Sequence, residues 1–476
     1  MSPVLVSSRS AAALLAHWRD GREGAAYEAL ADAVRTLVID GRIPVGARLP
    51  AERGLADALT LSRTTVANAY ARLRTDGYLT SLRGSGSVVR LPRDVAGRPD
   101  PERLGGVLDD DVLDLRKAAL HAAPGVAEAA ERALRSLPAS LAEIGYDTVG
   151  DAGLRAAIAD RYTARGLPTE PAQVMVTLGA QHAIALLARV LVRRGDAVLV
   201  ESPTYPHAHE ALREAGGRLV SVPVDVRSGW DVEVLTDALR RTTPSVAYVM
   251  PELHNPTGAT MTPAVRQALL ETAAATGTVV IADETMGELR IDGDPLPPLA
   301  ADVLVGSAGK VFWGALRIGW IRADPSLLQR LVLARPTWDL GTPLLDQLVV
   351  RELVPQTAAA LEARRTFLRQ GRDDVVAALR ARLRTWDVPS PDGGLTLWVG
   401  LGRPVSGALT LAARQDGVAL ASGGVFGPDG GFERFLRVPF SRAPADRARM
   451  VAVLAAAWDR VGGVVHEGRG SLAAVV

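Results

Sequence analysis

Five short apolar runs, QVMVTL, AVLVES, VAYVMP, TVVIAD and VLVGSA, recur between residues 173 and 308, and helical stretches such as AIALLARVLVRR separate them. This alternation constrains the chain more than any other feature. Strands that are apolar on both faces must be covered on both faces, and a strand–helix succession gives a mostly parallel sheet with helices on either side. The predicted class is α/β. In such sheets ligands bind at the carboxyl ends of strands, and several polar or glycine-bearing residues fall there: Gly179-Ala180-Gln181, Tyr205, Asn255-Pro256-Thr257-Gly258, Asp283 and Lys310.

Lys310 stands out for a second reason. The chain has 52 arginines and only two lysines, Lys117 and Lys310. An arginine stays protonated, whereas a desolvated lysine can lose its proton and attack a carbonyl. Lys117 lies in the charged DLRKAAL and reads as a surface residue, while Lys310 lies between the apolar DVLVGSAG and VFWGALRIGW. Taken singly, the strand-end residues are ordinary turn formers. Together they suit pyridoxal 5′-phosphate, which needs an amine, a carboxylate for its pyridine nitrogen, a donor for its phenolic oxygen, an aromatic face and anion-binding amides. Lys310, Asp283, Asn255 and Tyr205 supply the first four. Gly179, Ala180 and Gln181 open a helix whose amides suit a phosphate, with Ser307 and Arg317 beside them.

The N-terminal region has another pattern. Helical spacing begins at Tyr27, Pro50 is predicted to open a second helix, and Ser62 is predicted to cap a third. In the third, Val66, Ala69, Tyr70 and Leu73 share one face and Arg63, Thr64 and Thr65 are left outside, as in a recognition helix that enters the major groove. GYLTSLRGSGSVVRLP reads as a hairpin, completing a winged helix-turn-helix. The formal net charge is +1, so DNA binding needs a local patch, and residues 27–93 hold ten arginines against six acidic residues. A small protein-interaction domain is the alternative. Residues 93–112, rich in Pro, Gly and charge, read as a linker that reaches up to roughly 70 Å when extended. The division is then 1–92 for the head, 93–112 for the linker and 113–476 for the body.

ARLPAERGLADALTLSRTTVANAYARLRTDGYL and RGSGSVV resemble the GntR family of bacterial regulators. The resemblance implies DNA contacts from Arg48, Ser62, Arg63, Thr64 and Thr65, and from Gly84, Ser85 and Gly86 at the wing. SPTYP, NPTG, ADE and SAGK…LRIGW resemble the fold-type-I aminotransferases over roughly residues 113–460. That implies a smaller C-terminal α+β subdomain and, at FERFLRVPFS, an arginine that clamps a substrate or effector carboxylate, here Arg437. Read alone, Arg437 is equally a surface ion-pair residue. Head and body together resemble the MocR subfamily. This implies a head-to-tail homodimer that binds a double-stranded operator and senses an amine, an amino acid or the cofactor. Two positions depart from the family: Thr285 stands where a cofactor-binding tyrosine is usual, and Gly309 where a serine is common.

Cysteine is absent, which excludes disulfides and thiolate chemistry and fits the cytoplasm. AAALLAH lacks the cleavage site of a signal peptide, and no run approaches the ~18 apolar residues of a membrane span. No metal site is predicted. Three functions stand open on sequence alone: a regulator that senses through its cofactor, a working aminotransferase with an accessory head, and a body that serves only to dimerise.

Overall fold

The computed structural model describes residues 6–16, 18–19, 25–39, 42–82, 86–90, 112–428 and 431–467. All of the predicted linker except residue 112 lies outside them, as do Gly84 and Ser85. The head comprises α1 (Ser8–Leu14), α2 (Ala26–Ile39), α3 (Glu52–Leu59), α4 (Arg63–Thr75) and an antiparallel hairpin of β1 (Leu79–Leu82) and β2 (Gly86–Val89). Leu30 and Val34 from α2, Leu55 from α3, and Val66, Tyr70 and Leu73 from α4 form its core. Ser62 Oγ accepts from Thr65 N at 3.0 Å and caps α4. Pro50 does not open α3, which starts at Glu52 after an Ala51 cap. Its carbonyl accepts instead from the buried Tyr70 hydroxyl at 3.0 Å, joining α4 to the segment ahead of α3.

The body begins with β3 (Leu113–Asp114), α5 (Val126–Ser136) and α6 (Ala152–Ala164). Strands and helices then alternate: β4 (Val174–Thr177), α7 (Ala180–Leu191), β5 (Ala197–Ser202), α8 (Pro206–Glu214), β6 (Arg218–Asp225), β7 (Gly229–Trp230), α9 (Val232–Thr242), β8 (Val246–Val249), α10 (Pro263–Thr276), β9 (Val279–Asp283), β10 (Val303–Ser307), α11 (Ala308–Val311) and β11 (Gly319–Ala323). They build one sheet in the order β4-β11-β10-β9-β8-β5-β6-β7. The run from β10 to β6 is parallel, and the antiparallel members, β11 and β7, are not among the runs singled out in the sequence.

Because side chains alternate across a strand, each buried strand feeds two cores. Leu199, Ala247, Val249, Val280, Ala282 and Leu304 face one side, against α9, α10 and α13 (Leu344–Leu353). Val198, Val200, Tyr248, Ile281, Val303 and Val305 face the other, against α7, α8 and α12 (Pro325–Ala334).

A third core belongs to the smaller subdomain, formed by α14 (Thr357–Arg382), β12 (Thr396–Gly400), α15 (Ser406–Gln415), β13 (Val418–Ala419), β14 (Phe435–Pro439) and α16 (Pro444–Glu467). It also takes in the start of the body, since β3 pairs with β13 and Leu115 and Leu120 join its core. On β14, Leu436 and Val438 point into that core, so Arg437 points away from it.

Arg335, 0% exposed, ties the sheet to the loops around it. Its guanidinium donates to the carbonyls of Thr148 and Val176 and to Thr342 Oγ1, each at 2.8 Å, and to Asp339 Oδ1 at 2.7 Å. Arg335→Met strands these acceptors and leaves Asp339 with only the Gly341 amide and the His182 ring beside it. The expected loss is about 3 kcal/mol, read as a lower denaturation midpoint at an unchanged m-value.

Candidate cofactor site and DNA interface

At the end of β10, Ser307 Oγ accepts from Gly309 N at 3.0 Å and turns the chain into α11, which carries Lys310. The lysine amine donates to the carbonyl of Ala118 at 2.6 Å. Burial, then the positive charge of Arg437, pull its pKa down to about 8, with Asp283 opposing them. An amine of this kind is a nucleophile near neutral pH. The segment after it is fixed by a residue the sequence reading did not single out: buried Arg364 on α14 donates to the carbonyls of Val311, Phe312 and His121 at 3.0, 2.7 and 2.6 Å.

Asp283, buried at the end of β9, shares a face with Ile281, whose register partner on β8 is Tyr248. Parity therefore brings Tyr248 to the carboxylate, and its hydroxyl donates to Asp283 Oδ2 at 2.6 Å. The other oxygen, Oδ1, accepts from Thr285 N at 2.9 Å. Tyr248 was also missed in the sequence, although a lone phenol in an aliphatic buried strand is the signal that finds it. Tyr205 caps the start of α8, and burial followed by the charge of Asp283 pushes its pKa up to about 12.

Gly179, at φ 79°, precedes the first turn of α7, and Ala180 and Gln181 begin the helix. A β-carbon at Gly179 would stand 2.7 Å from the Arg317 guanidinium, and one at Gly319 would stand 2.6 Å from Ala180 N. Backbone and guanidinium meet closely here, and glycine is required at both positions. Arg317, itself at φ 50°, donates to the carbonyl of Leu178 at 3.0 Å. Gln181 donates to the carbonyl of His207 at 3.0 Å, while its buried Oε1 has no hydrogen-bond partner.

Arg437 crosses to this cleft from β14. It donates to Asn255 Oδ1 at 3.5 Å and to the carbonyl of Arg116, and its guanidinium lies 4.7 Å over the ring of Phe426. No carboxylate lies within ion-pair distance of it among the described residues, and its buried Nε has no acceptor. Burial lowers its pKa to about 10. The sequence's alternative of a surface ion pair does not describe this residue.

This set fits pyridoxal 5′-phosphate. Lys310 offers an amine to the aldehyde, Asp283 an anion to the ring nitrogen, and Tyr205 a ring face. The amides at the start of α7, with Arg317 and Ser307, offer donors to a phosphate, and Asn255, whose Oδ1 accepts from Arg437, keeps an amide N–H for a phenolic oxygen. Thr285 spends its amide on Asp283 and has only an aliphatic hydroxyl.

In the head, Arg63 opens α4 with its side chain 74% exposed, 3.8 Å from Glu52 at the start of α3. Thr64 is exposed beside it, whereas Thr65 is half-buried and its Oγ1 lies 2.8 Å from Ser62 Oγ. The half-buried Arg48 lies against the wing, since a β-carbon on Gly86 would come within 3.0 Å of its Nε. The first turn of α4 thus presents Arg63 and Thr64 outward, and the hairpin stands next to Arg48.

Residues 114–454 match the family described as aminotransferase class I and II, and residues 26–89 match bacterial regulatory proteins of the gntR family. The 2-aminoadipate transaminase of Thermus thermophilus is 32% identical over 349 residues, spanning 71% of this chain and 84% of that protein. The "Probable rhizopine catabolism regulatory protein MocR" of Rhizobium meliloti is 30% identical over 404 residues, spanning 78% of this chain and 80% of its own length. Among solved structures, LysN, the α-aminoadipate aminotransferase of Thermus thermophilus complexed with N-(5′-phosphopyridoxyl)-L-leucine, superposes with a TM-score of 0.69 at 29% identity. The match covers 79% of this chain and 100% of LysN.

Incubation with pyridoxal 5′-phosphate followed by borohydride is expected to label the wild-type chain at Lys310 and to leave Lys310→Ala unlabelled, by peptide mass spectrometry. Only the neutral amine attacks. The initial labelling rate should therefore rise about tenfold per pH unit on the acid side and level off above a pH of about 8.

Proposed function

The chain belongs to the MocR subfamily of gntR-type regulators, its body to the family described as aminotransferase class I and II, and on that premise we propose that it is a DNA-binding transcription regulator that senses an amine or amino acid through pyridoxal 5′-phosphate. The observation that carries the reading is one cleft holding a neutralisable amine, a buried carboxylate and a buried guanidinium without a carboxylate of its own. The same chain carries a recognition helix with Arg63 outward.

Bound at this cleft, the cofactor would supply an aldehyde that exchanges amines and a ring that withdraws electrons from them. The chain's own residues do the rest. Lys310 would hold the cofactor through its amine, which is buried beside the Ala118 carbonyl and can hold or give up a proton near neutral pH. Asp283 keeps the ring nitrogen protonated, with Tyr248 and the amide of Thr285 holding the carboxylate in place. Arg437 orients the ligand by its carboxylate, for which a five-donor guanidinium is suited. Switching then requires that the occupied cleft favour one arrangement of the heads.

Residues 1–92 form the head in this reading, 93–112 the linker and 113–476 the body. A head-to-tail homodimer acting in the cytoplasm on a promoter operator completes it. Support for the dimer comes from an apolar surface on the body, where Ile144 is 89% and Tyr146 72% exposed and Leu141, Trp338 and Leu340 are exposed too. These residues lie on two segments that touch, since a β-carbon on Gly341 would collide with the carbonyl of Asp147. No helix among the described residues is long and apolar enough to cross a membrane.

The presence of Lys310, Asp283 and Arg437 together favours one second reading, a transaminase with an accessory head. A spectral titration with amino acids, run beside a DNA-affinity measurement, separates the two. The regulator reading expects a spectral change that shifts DNA affinity, with keto acid near one equivalent. Sustained turnover at roughly 1 per second or faster, with no effect on DNA binding, would overturn it. In the head, Arg63→Ala is expected to cost about 1–3 kcal/mol at a single base position, measured by binding to a mutated operator series. An equal loss on every sequence would assign Arg63 to phosphate instead.

A further inference from the structure

The sheet edge formed by β6 and β7 faces the head. Asp225 at the end of β6 holds the hairpin turn by accepting from Arg227 N and Ser228 N at 2.9 and 3.0 Å, and its other oxygen lies 3.7 Å from Arg42 Nε of the head. Between head and body lies a cavity of about 470 Å³ whose walls include Leu14 and Arg42 on the head side and Trp230, Trp398, Phe432 and Phe435 on the body side. Leu14 belongs to α1, which precedes the segment matching the gntR family.

Trp230 has a second contact, inward. Its indole N–H donates to Glu201 Oε1 at 3.0 Å. Glu201 ends β5 beside Ser202, but by strand parity it points to the opposite face of the sheet from the cofactor cleft. There its Oε2 accepts from Met250 N at 3.0 Å and lies 3.2 Å from His254 Nε2, both side chains being fully buried. The Trp230 ring meets the His254 ring edge to face at 5.6 Å. His254 precedes Asn255, which accepts from Arg437. The far side of Arg437 leads to the same seam, because Phe426 beneath its guanidinium meets Trp398 edge to face at 5.4 Å. A carboxylate taken up by Arg437 competes with Asn255 for the guanidinium, and Asn255 follows His254 directly in the chain.

The geometry points to Trp230 as the positioning residue that carries occupancy of the Arg437 cleft to the seat of the head, acting through Glu201 and His254. This rests on the sensing role proposed above and names its route. Trp230 touches neither cofactor nor ligand. Its indole N–H serves the inner network and its ring serves the seam, so a shift in one displaces the other.

The test is hydrogen exchange on the full-length chain, with pyridoxal 5′-phosphate alone and with N-(5′-phosphopyridoxyl)-L-leucine. The second compound brings an amino-acid carboxylate into the cleft on the cofactor's own affinity. In the wild type the adduct, relative to the cofactor, is expected to change exchange by about fivefold at residues 251–257, at the hairpin 223–232 and at α1. In Trp230→Phe the change at 251–257 stays, adduct affinity stays close to wild type, and the changes at 223–232 and 8–14 are lost. Glu201→Gln gives a second reading of the same link should the tryptophan variant fold poorly. The inference is overturned if hairpin and α1 respond equally in both variants, if they never respond in the wild type, or if the variants shift exchange alike with and without adduct, which is a structural role only. No change at 251–257 in the wild type would instead remove the sensing role itself, and this route with it.

Discussion

A guanidinium in the interior of a protein ordinarily has a carboxylate beside it. Arg437 instead has a carbonyl, an amide oxygen and the ring of Phe426. The cleft is organised around this uncompensated charge. It adds to burial in drawing the pKa of Lys310 down to about 8, so the same cation that prepares the cleft for an anion keeps the neighbouring amine reactive. Asp283 balances part of the field from the other end, and its own oxygens are occupied by Tyr248 and the amide of Thr285. An amino-acid carboxylate entering here would neutralise Arg437 and lift the second cause that depresses the lysine, leaving burial in place. Binding of a carboxylate and the protonation of Lys310 would thus be coupled through the Arg437 charge.

How much of this was legible before the structure depends on range. Strands β4, β5, β8, β9 and β10 announce themselves as continuous apolar runs because each is buried on both faces. The residues at their ends follow from the rule that such sheets bind ligands there. Strand β11 was not visible, because its antiparallel return is made by GWIRA, in which Trp320 and Arg322 break the apolar run. Tyr248 and Arg364 escaped for a related reason. Each is one polar group in an element that periodicity assigns to the core, and its role appears only when the register of β8 on β9, or the packing of α14 behind α11, is known. The helix-turn-helix was legible because its contacts are local, with Ser62 capping its own helix. Pro50 was misplaced by two residues since the need of Tyr70 for an acceptor is a tertiary matter. The Trp230–Glu201 contact joins two strands through a hairpin and leaves no periodic trace at all.

The meeting of Gly179 and Gly319 has a consequence of another kind. Any side chain at either position would strike backbone or the Arg317 guanidinium, so the anchoring end of the cleft depends on two glycines that let main chain and the Arg317 guanidinium approach closely. The opposite end, around Arg437, takes one main-chain carbonyl, that of Arg116, and is otherwise formed by the side chains of Asn255 and Phe426. The two ends therefore respond differently to substitution. A substitution near Arg437 changes what the cleft can hold without touching the anchor, whereas a substitution at Gly179 or Gly319 disturbs the anchor whatever the ligand.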